Sequence, residues 1–149
     1  GAVVDGYCSD MTRTVALGEP DARLRSVYDV VREAQAAGVA ALRDGVASDA
    51  VDAACRDLVT AAGYGDAFVH GTGHGIGLAV HEDPYLRPLR APPGVTTGAS
   101  ATLRARMTVT VEPGVYLPGA GGVRIEDTLA VTATGAEVLT RTPKDLVVL

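Results

Sequence analysis

Over its first seventeen residues the chain alternates apolar and polar positions in the two-residue rhythm of a strand. Residues 2–7 and 11–17, rich in Val, Thr and Tyr, predict two short strands, and Asp5-Gly6 is a turn or bulge signal. The alternation puts Asp10, Thr12 and Thr14 on one face and Met11, Arg13 and Val15 on the other. The period then changes. Leu24, Val27, Tyr28, Val31, Ala34, Gly38, Ala41 and Leu42 recur at helical spacing. Pro20 suits the first turn of that helix, Asp21 suits its positive end, and Gly45 stops it. Ser48 is a good cap for a second helix, whose buried stripe is Val51, Ala54, Cys55, Leu58, Val59 and Ala62, ending at Gly63. Cys55 reads as plain core, and both helices as scaffold.

After Phe68-Val69 the regular pattern stops. Glycines at 71, 73, 75 and 77 separate three histidines, His70, His74 and His81, and give the segment the look of a backbone built to bend. Residues 86–105 carry Pro88, Pro92, Pro93, Gly94 and Gly98 without periodicity and predict a long surface loop. Alternation returns at 107–112, with Thr108, Thr110 and Glu112 facing one way and Met107, Val109 and Val111 the other. Residues 115–117 predict a short strand and 118–122 a glycine-rich turn. Residues 123–131 predict a further strand, with Arg124, Glu126 and Thr128 on one face, and a last strand surrounds Val138. There is no repeat and no second domain. The expected fold class is α+β, with two helices packed on one face of a mostly antiparallel sheet.

Composition narrows the setting. With 149 residues, 47% hydrophobic and 21% charged, the chain has enough apolar sequence for one globular core. The net charge is -5 and the basic residues are scattered singly, which argues against a nucleic-acid partner. No apolar run reaches the ~18 residues of a membrane span. Two cysteines make no disulfide framework, so a reducing, cytoplasmic setting is expected. The start at Gly1-Ala2-Val3-Val4 rather than Met leads us to expect a piece of a longer protein, residues 1–149 being part of one catalytic domain.

Four residues stand out as candidate metal ligands: Asp10, His74, Glu112 and Glu126. Each carboxylate sits in an apolar or threonine-rich stretch, where bare burial is costly and a cation is an effective partner. Carboxylates with one imidazole favour Mn²⁺, Co²⁺, Fe²⁺ or Mg²⁺ over a thiolate-type zinc site. On residue types alone, solvated or salt-bridged acids remain the other reading. Arg13 reads as a structural ion-pair partner rather than a catalyst.

The motifs Asp10-Met11-Thr12-Arg13-Thr14, His70-Gly71-Thr72-Gly73-His74-Gly75, His81-Glu82-Asp83-Pro84, Glu112-Pro113-Gly114 and Arg124-Ile125-Glu126-Asp127 occur in order along the chain. Together they resemble the pita-bread metallopeptidases, in the branch of Xaa-Pro aminopeptidases and prolidases. The resemblance implies a pita-bread fold truncated at its N-terminal side. It implies two divalent metal ions, Mn²⁺ first, with Co²⁺, Fe²⁺ or Zn²⁺ as alternatives. Asp10 and Glu126 would bridge them, and His74 and Glu112 would bind one. The family's fifth ligand is an aspartate that would fall upstream of Gly1, so an isolated fragment is expected to have little activity. The implied reaction is hydrolysis of the bond between an N-terminal residue and proline, by water activated between the metals. Glu112 would be the general base, His81 a donor to the carbonyl or oxyanion, His70 a lining of the substrate side, and Arg124 a holder of the acidic cluster. The implied partners are peptides with proline second, with no nucleic acid and no membrane, and a homodimer is a candidate assembly.

Two departures from the family pattern stand out. Arg106 replaces a glycine just before Met107, which is costly if that turn needs a positive φ. The connection over 86–105 is also longer than expected. Methionine aminopeptidases are a rival reading, but they carry Gln-x-Glu-His where this chain has Arg124-Ile125-Glu126-Asp127. A non-catalytic peptide- or protein-binding relative, or a metal-free hydrolase resembling creatinase, would be expected to lose ligands that this chain keeps.

Overall fold

In the computed structural model, which describes residues 1–90 and 97–149, the chain doubles back almost at once. Asp5 and Gly6 both take positive φ, 51° and 85°, the geometry of a tight hairpin turn. The expected strand over 2–7 is therefore split into β1 (Val3–Val4) and β2 (Tyr7–Cys8), paired antiparallel. Residues 10–14 then run antiparallel to 124–128 without forming a regular strand. Thr12 bridges Glu126, and the Thr128 hydroxyl donates to the Asp10 carbonyl at 2.7 Å. Of the expected strand over 11–17 only β3 (Val15–Ala16) is regular, and it pairs in parallel with β11 (Val147–Val148), which the sequence pattern did not suggest.

Helix α1 (Ala22–Ala41) begins at Asp21, whose carboxylate accepts the Leu24 N–H at 2.7 Å. Helix α2 spans Ser48–Ala61. The cap expected of Ser48 is not made. Ala47 holds that position, and the buried Ser48 hydroxyl instead accepts the Ala101 N–H at 3.1 Å. The helices meet at Gly38, where an added Cβ would lie 2.5 Å from Cys55 Sγ and 2.9 Å from Val111 Cγ1. Cys55 is core, as expected. Its thiol donates to the Ala34 carbonyl at 3.2 Å, and burial pushes its pKa up to about 12.

The main sheet has five antiparallel strands: β4 (Gly73–Gly75), β5 (Glu82–Leu86), β6 (Thr108–Val111), β9 (Asp127–Val131) and β10 (Ala136–Val138), in the order β10-β9-β6-β4-β5. Val109, Val111, Leu129 and Val131 share one core with Val27, Val31, Val51 and Val59 of the helices, as the α+β reading requires. Strands β7 (Gly114–Leu117) and β8 (Gly121–Arg124) form a separate hairpin. The single strand expected over 123–131 is thus broken at Ile125-Glu126, where the chain leaves β7 and joins β6.

The glycines of the histidine stretch serve packing rather than bending. A Cβ on Gly73 would lie 2.0 Å from the Thr110 carbonyl oxygen, and one on Gly75 would lie 2.4 Å from that of Asp83. Bare backbone is what lets β4 sit between β5 and β6. The loop expected over 86–105 is not all surface. Leu86 and Leu103 are fully buried, and Leu103 exchanges backbone bonds with Gly45 and Val46. Pro92, Pro93 and Gly94 lie outside the described residues. Arg106 does take a positive φ, 78°, so the cost anticipated for a non-glycine residue is present. No helix among the described residues is long and apolar enough to cross a membrane.

Candidate metal centre

The sheet brings the four expected ligands together. His74 sits mid-β4, Glu112 directly follows β6, and Glu126 occupies the break before β9, so three neighbouring strands each deliver one donor. Asp10 arrives from the segment laid along 124–128. His74 Nε2 is 3.2 Å from Glu112 Oε1 and 3.8 Å from Asp10 Oδ2. Its Nδ1 lies 2.9 Å from the Gly75 carbonyl oxygen. A carbonyl can only accept, so Nδ1 carries a proton and Nε2 is the nitrogen turned to the carboxylates. The Thr110 hydroxyl accepts the His74 N–H at 3.1 Å and donates to Glu112 Oε1 at 3.1 Å, so one side chain fixes two candidate ligands.

Glu126 is the most telling member. Its side chain is buried; Oε2 accepts from the Thr12 hydroxyl, and Oε1 has no hydrogen-bond partner among the described residues. Burial, followed by the charges of Glu112 and Asp10, pushes its pKa up to about 7 despite Thr12 and Arg124. Glu112 moves the other way. Burial opposes ionisation there, but the bond to His74 and its charge, with the Thr110 bond, hold the carboxyl below its usual range. His74 is desolvated too, yet Glu112, the Gly75 carbonyl and Asp10 together raise its pKa. A buried carboxylate oxygen left without a partner beside two further acids is the arrangement a cation would complete. Donor atoms of His74, Glu112 and Glu126 lie within 4.8 Å of one another, and so do those of Asp10, His74 and His81. The oxygen-rich donor set with one imidazole fits a hard or borderline divalent ion.

The other expected residues surround an adjoining cavity of about 320 Å³, lined by His70, His74, His81, Glu112 and Arg124. The His81 ring stacks obliquely on His74, centroids 4.3 Å apart, and is solvent-exposed. His70 Nδ1 faces the Gly71 carbonyl at 2.7 Å, so its Nε2 accepts from the Tyr116 hydroxyl at 2.8 Å. Arg124 reaches Glu126 through an intermediary: its Nε donates to Thr12 Oγ1 at 3.1 Å, and Thr12 in turn donates to Glu126. Arg13 meets its expectation as an ion-pair partner, with Nη2 2.7 Å from the fully buried Asp127.

Sequence reasoning passed over Thr12, Thr110 and Tyr116. The first two sat on the same strand faces as Asp10 and Glu112, so the alternation carried a signal. Tyr116 carried none. Gln35 was also missed: it projects from the helix read as scaffold and donates to Asp127 at 3.0 Å.

Residues 1–133 match the family model described as metallopeptidase family M24. The chain belongs to that family. An uncharacterized peptidase of Bacillus subtilis, YqhT, is 48% identical over 149 residues, which is all of this chain and 40% of that protein. The Xaa-Pro dipeptidase of Lactobacillus helveticus is 44% identical over 146 residues, 98% of this chain and 37% of the relative. Among solved structures, the Xaa-Pro dipeptidase of Bacillus anthracis superposes with a TM-score of 0.88 at 49% identity, over 97% of this chain and 38% of that one. The M24 match together with these Xaa-Pro dipeptidases bears out the resemblance to the Xaa-Pro branch and its pita-bread fold. This M24 chain spans about 40% of the length of the curated relatives it matches.

Proposed function

We propose that residues 1–149 are part of the catalytic domain of an M24 enzyme that hydrolyses the bond between an N-terminal residue and a following proline. The observation that carries this is the convergence of Asp10, His74, Glu112 and Glu126, with Glu126 Oε1 buried and without a hydrogen-bond partner among the described residues. Asp10, His74, Glu112 and Glu126 would hold a divalent ion, Mn²⁺ being our first choice. Such an ion, when bound, supplies an acidified water and polarises the scissile carbonyl. The chain's own groups do the rest. Glu112, kept ionised by His74, accepts a proton from the attacking water and returns it to the departing proline nitrogen as the C–N bond breaks. His81, exposed at the cavity mouth, donates to the carbonyl oxygen as charge develops on it. His70, fixed by Tyr116, lines the substrate side, and Arg124 with Thr12 holds the Glu126 carboxylate in place.

The relatives named Xaa-Pro dipeptidase support proline in the second position and favour a dipeptide as substrate. The test is turnover by the whole protein of Xaa-Pro dipeptides, longer Xaa-Pro peptides and Met-Ala peptides. We expect Xaa-Pro cleavage that is lost with EDTA and restored by Mn²⁺. Cleavage of the Met-Ala series alone, or activity indifferent to EDTA, would reject the reading.

A further inference from the structure

Residues 68–72 connect the short helical turn after α2 to β4 and carry His70, yet they belong to no strand. Their backbone groups are held instead by one ion pair on α2. Arg56 Nε and Nη2 grip both oxygens of Asp52 at 2.8 and 3.0 Å. The same guanidinium donates from Nη1 to the Phe68 carbonyl at 2.9 Å and from Nη2 to the His70 carbonyl at 2.7 Å, and it lies 4.1 Å from the centre of the Phe68 ring. Asp52 Oδ1 accepts both the N–H and the hydroxyl of Thr72, each at 3.0 Å. The Thr72 carbonyl accepts the Glu112 N–H at 2.7 Å. The chain of contacts thus runs from α2 through 68–72 to one candidate ligand, and stops two residues short of another, His74.

Neither Asp52 nor Arg56 lines the cavity of the candidate site. Asp52 is 1% exposed. A buried ion pair contributes little net stability compared with an apolar pair of the same shape, because desolvation offsets the attraction. What an apolar pair could not do is satisfy two carbonyls and one N–H of an irregular segment. Only a planar fork with several fixed donors, oriented by a bidentate carboxylate, does this.

We propose that Asp52 and Arg56 are positioning residues for the metal centre: they set the backbone of 68–72, and through it the placement of His70, Glu112 and His74. The proposal rests on the metal-centre reading above. Groups that orient ligands from behind typically change metal affinity or activity by about 10–100-fold.

The test compares wild type, Arg56→Ala and Arg56→Lys by calorimetric titration with Mn²⁺, at a temperature where thermal melts show each fully folded. Mn²⁺ binding by wild type tests the metal centre itself, and its absence would overturn that reading and this one together. With wild type binding, we expect Arg56→Ala to weaken Mn²⁺ affinity by about 10–100-fold. We also expect Arg56→Lys to remain at least about tenfold weak, because a single ammonium cannot make the four contacts. A purely structural role would lower the melting temperature while leaving the affinity of the folded protein unchanged, or would be rescued by lysine. Either result overturns the positioning role and leaves the metal centre standing. If the Arg56 variants do not fold, Thr72→Val removes the hydroxyl bond to Asp52 and leaves the Thr72 N–H bond and the Asp52–Arg56 pair in place. It should weaken Mn²⁺ severalfold, and unchanged affinity in that variant would equally refute the proposal.

Discussion

The two triads that share His74 are built differently. In the inner one, His74 lies in β4, Glu112 directly follows β6 and Glu126 directly precedes β9, three neighbouring strands of the main sheet, and Thr110 and Thr12 hold the two carboxylates. In the outer one, of Asp10, His74 and His81, Asp10 comes from the irregular segment laid along 124–128, and His81 directly precedes the edge strand β5 and is exposed. The inner triad is fixed before anything binds, and its electrostatic conflict is built in, since burial and two neighbouring acids oppose the charge on Glu126. In the outer triad, exposed His81 faces the cavity. On the proposed reading, Asp10 and His74 belong with the buried acids that would hold an ion, and exposed His81 alone would handle a carbonyl, so Glu126 and His81 test the two roles separately.

The largest expected effect is on the inner triad. Glu126→Gln should abolish measurable Mn²⁺ binding in a calorimetric titration, yet raise the melting temperature of the metal-free protein at pH 8, because a buried charge is removed. Retained binding would dissolve the distinction between the triads. Next comes the outer triad. His81→Ala should lower kcat of the whole protein about 100-fold or more, the size typical of a lost donor to a developing oxyanion, while Mn²⁺ affinity changes less than about threefold.

The pH dependence of the metal-free protein sharpens the contrast further. Glu126 has its folded pKa raised from 4.5 to about 7, so between those values the folded state binds more protons than the unfolded one. Stability should therefore fall as pH rises from about 4.5 to 7, by an amount on the order of 3 kcal/mol. His74, also raised, acts in the same direction above its ordinary 6.5. Chemical denaturation at several pH values checks this, and Glu126→Gln should flatten most of the slope. The smallest effect lies outside both triads. Arg106→Gly should relieve the left-handed backbone at 106 and stabilise the fold by about 1 kcal/mol, with Mn²⁺ affinity unchanged.

The inner candidate ligands were legible in the sequence because each stood out locally: Glu112 after alternating Thr and Val, Glu126 after Val123 and Ile125, His74 between glycines. Helix α1 was legible for the same reason, its apolar period being long and its Asp21 cap local. What failed depended on partners far along the chain. Ser48 looks like a cap until Ala101 arrives to use its hydroxyl. The 123–131 alternation looks continuous because changing neighbours at Ile125-Glu126 does not disturb the two-residue period. The glycines of β4 look like hinges because the carbonyls that require them belong to Thr110 and Asp83, on other strands. The Asp52–Arg56 pair looks like an ordinary helical ion pair, since the loop carbonyls it holds lie 12 and 14 residues from Arg56.

A cation held by Asp10, His74, Glu112 and Glu126 would resolve the electrostatic conflict on Glu126. Mn²⁺ titration of the 149-residue chain, repeated at pH 6 and pH 8 in buffers of different ionisation heat, measures both the number of ions bound and the protons released. We expect no more than one ion per chain, bound weakly. More protons should leave at pH 6 than at pH 8, because Glu126 titrates at about 7 before the ion arrives and His74, also raised, gives up its Nε2 proton. Absence of saturable binding, two tight sites, or binding without any proton release at pH 6 would contradict the account.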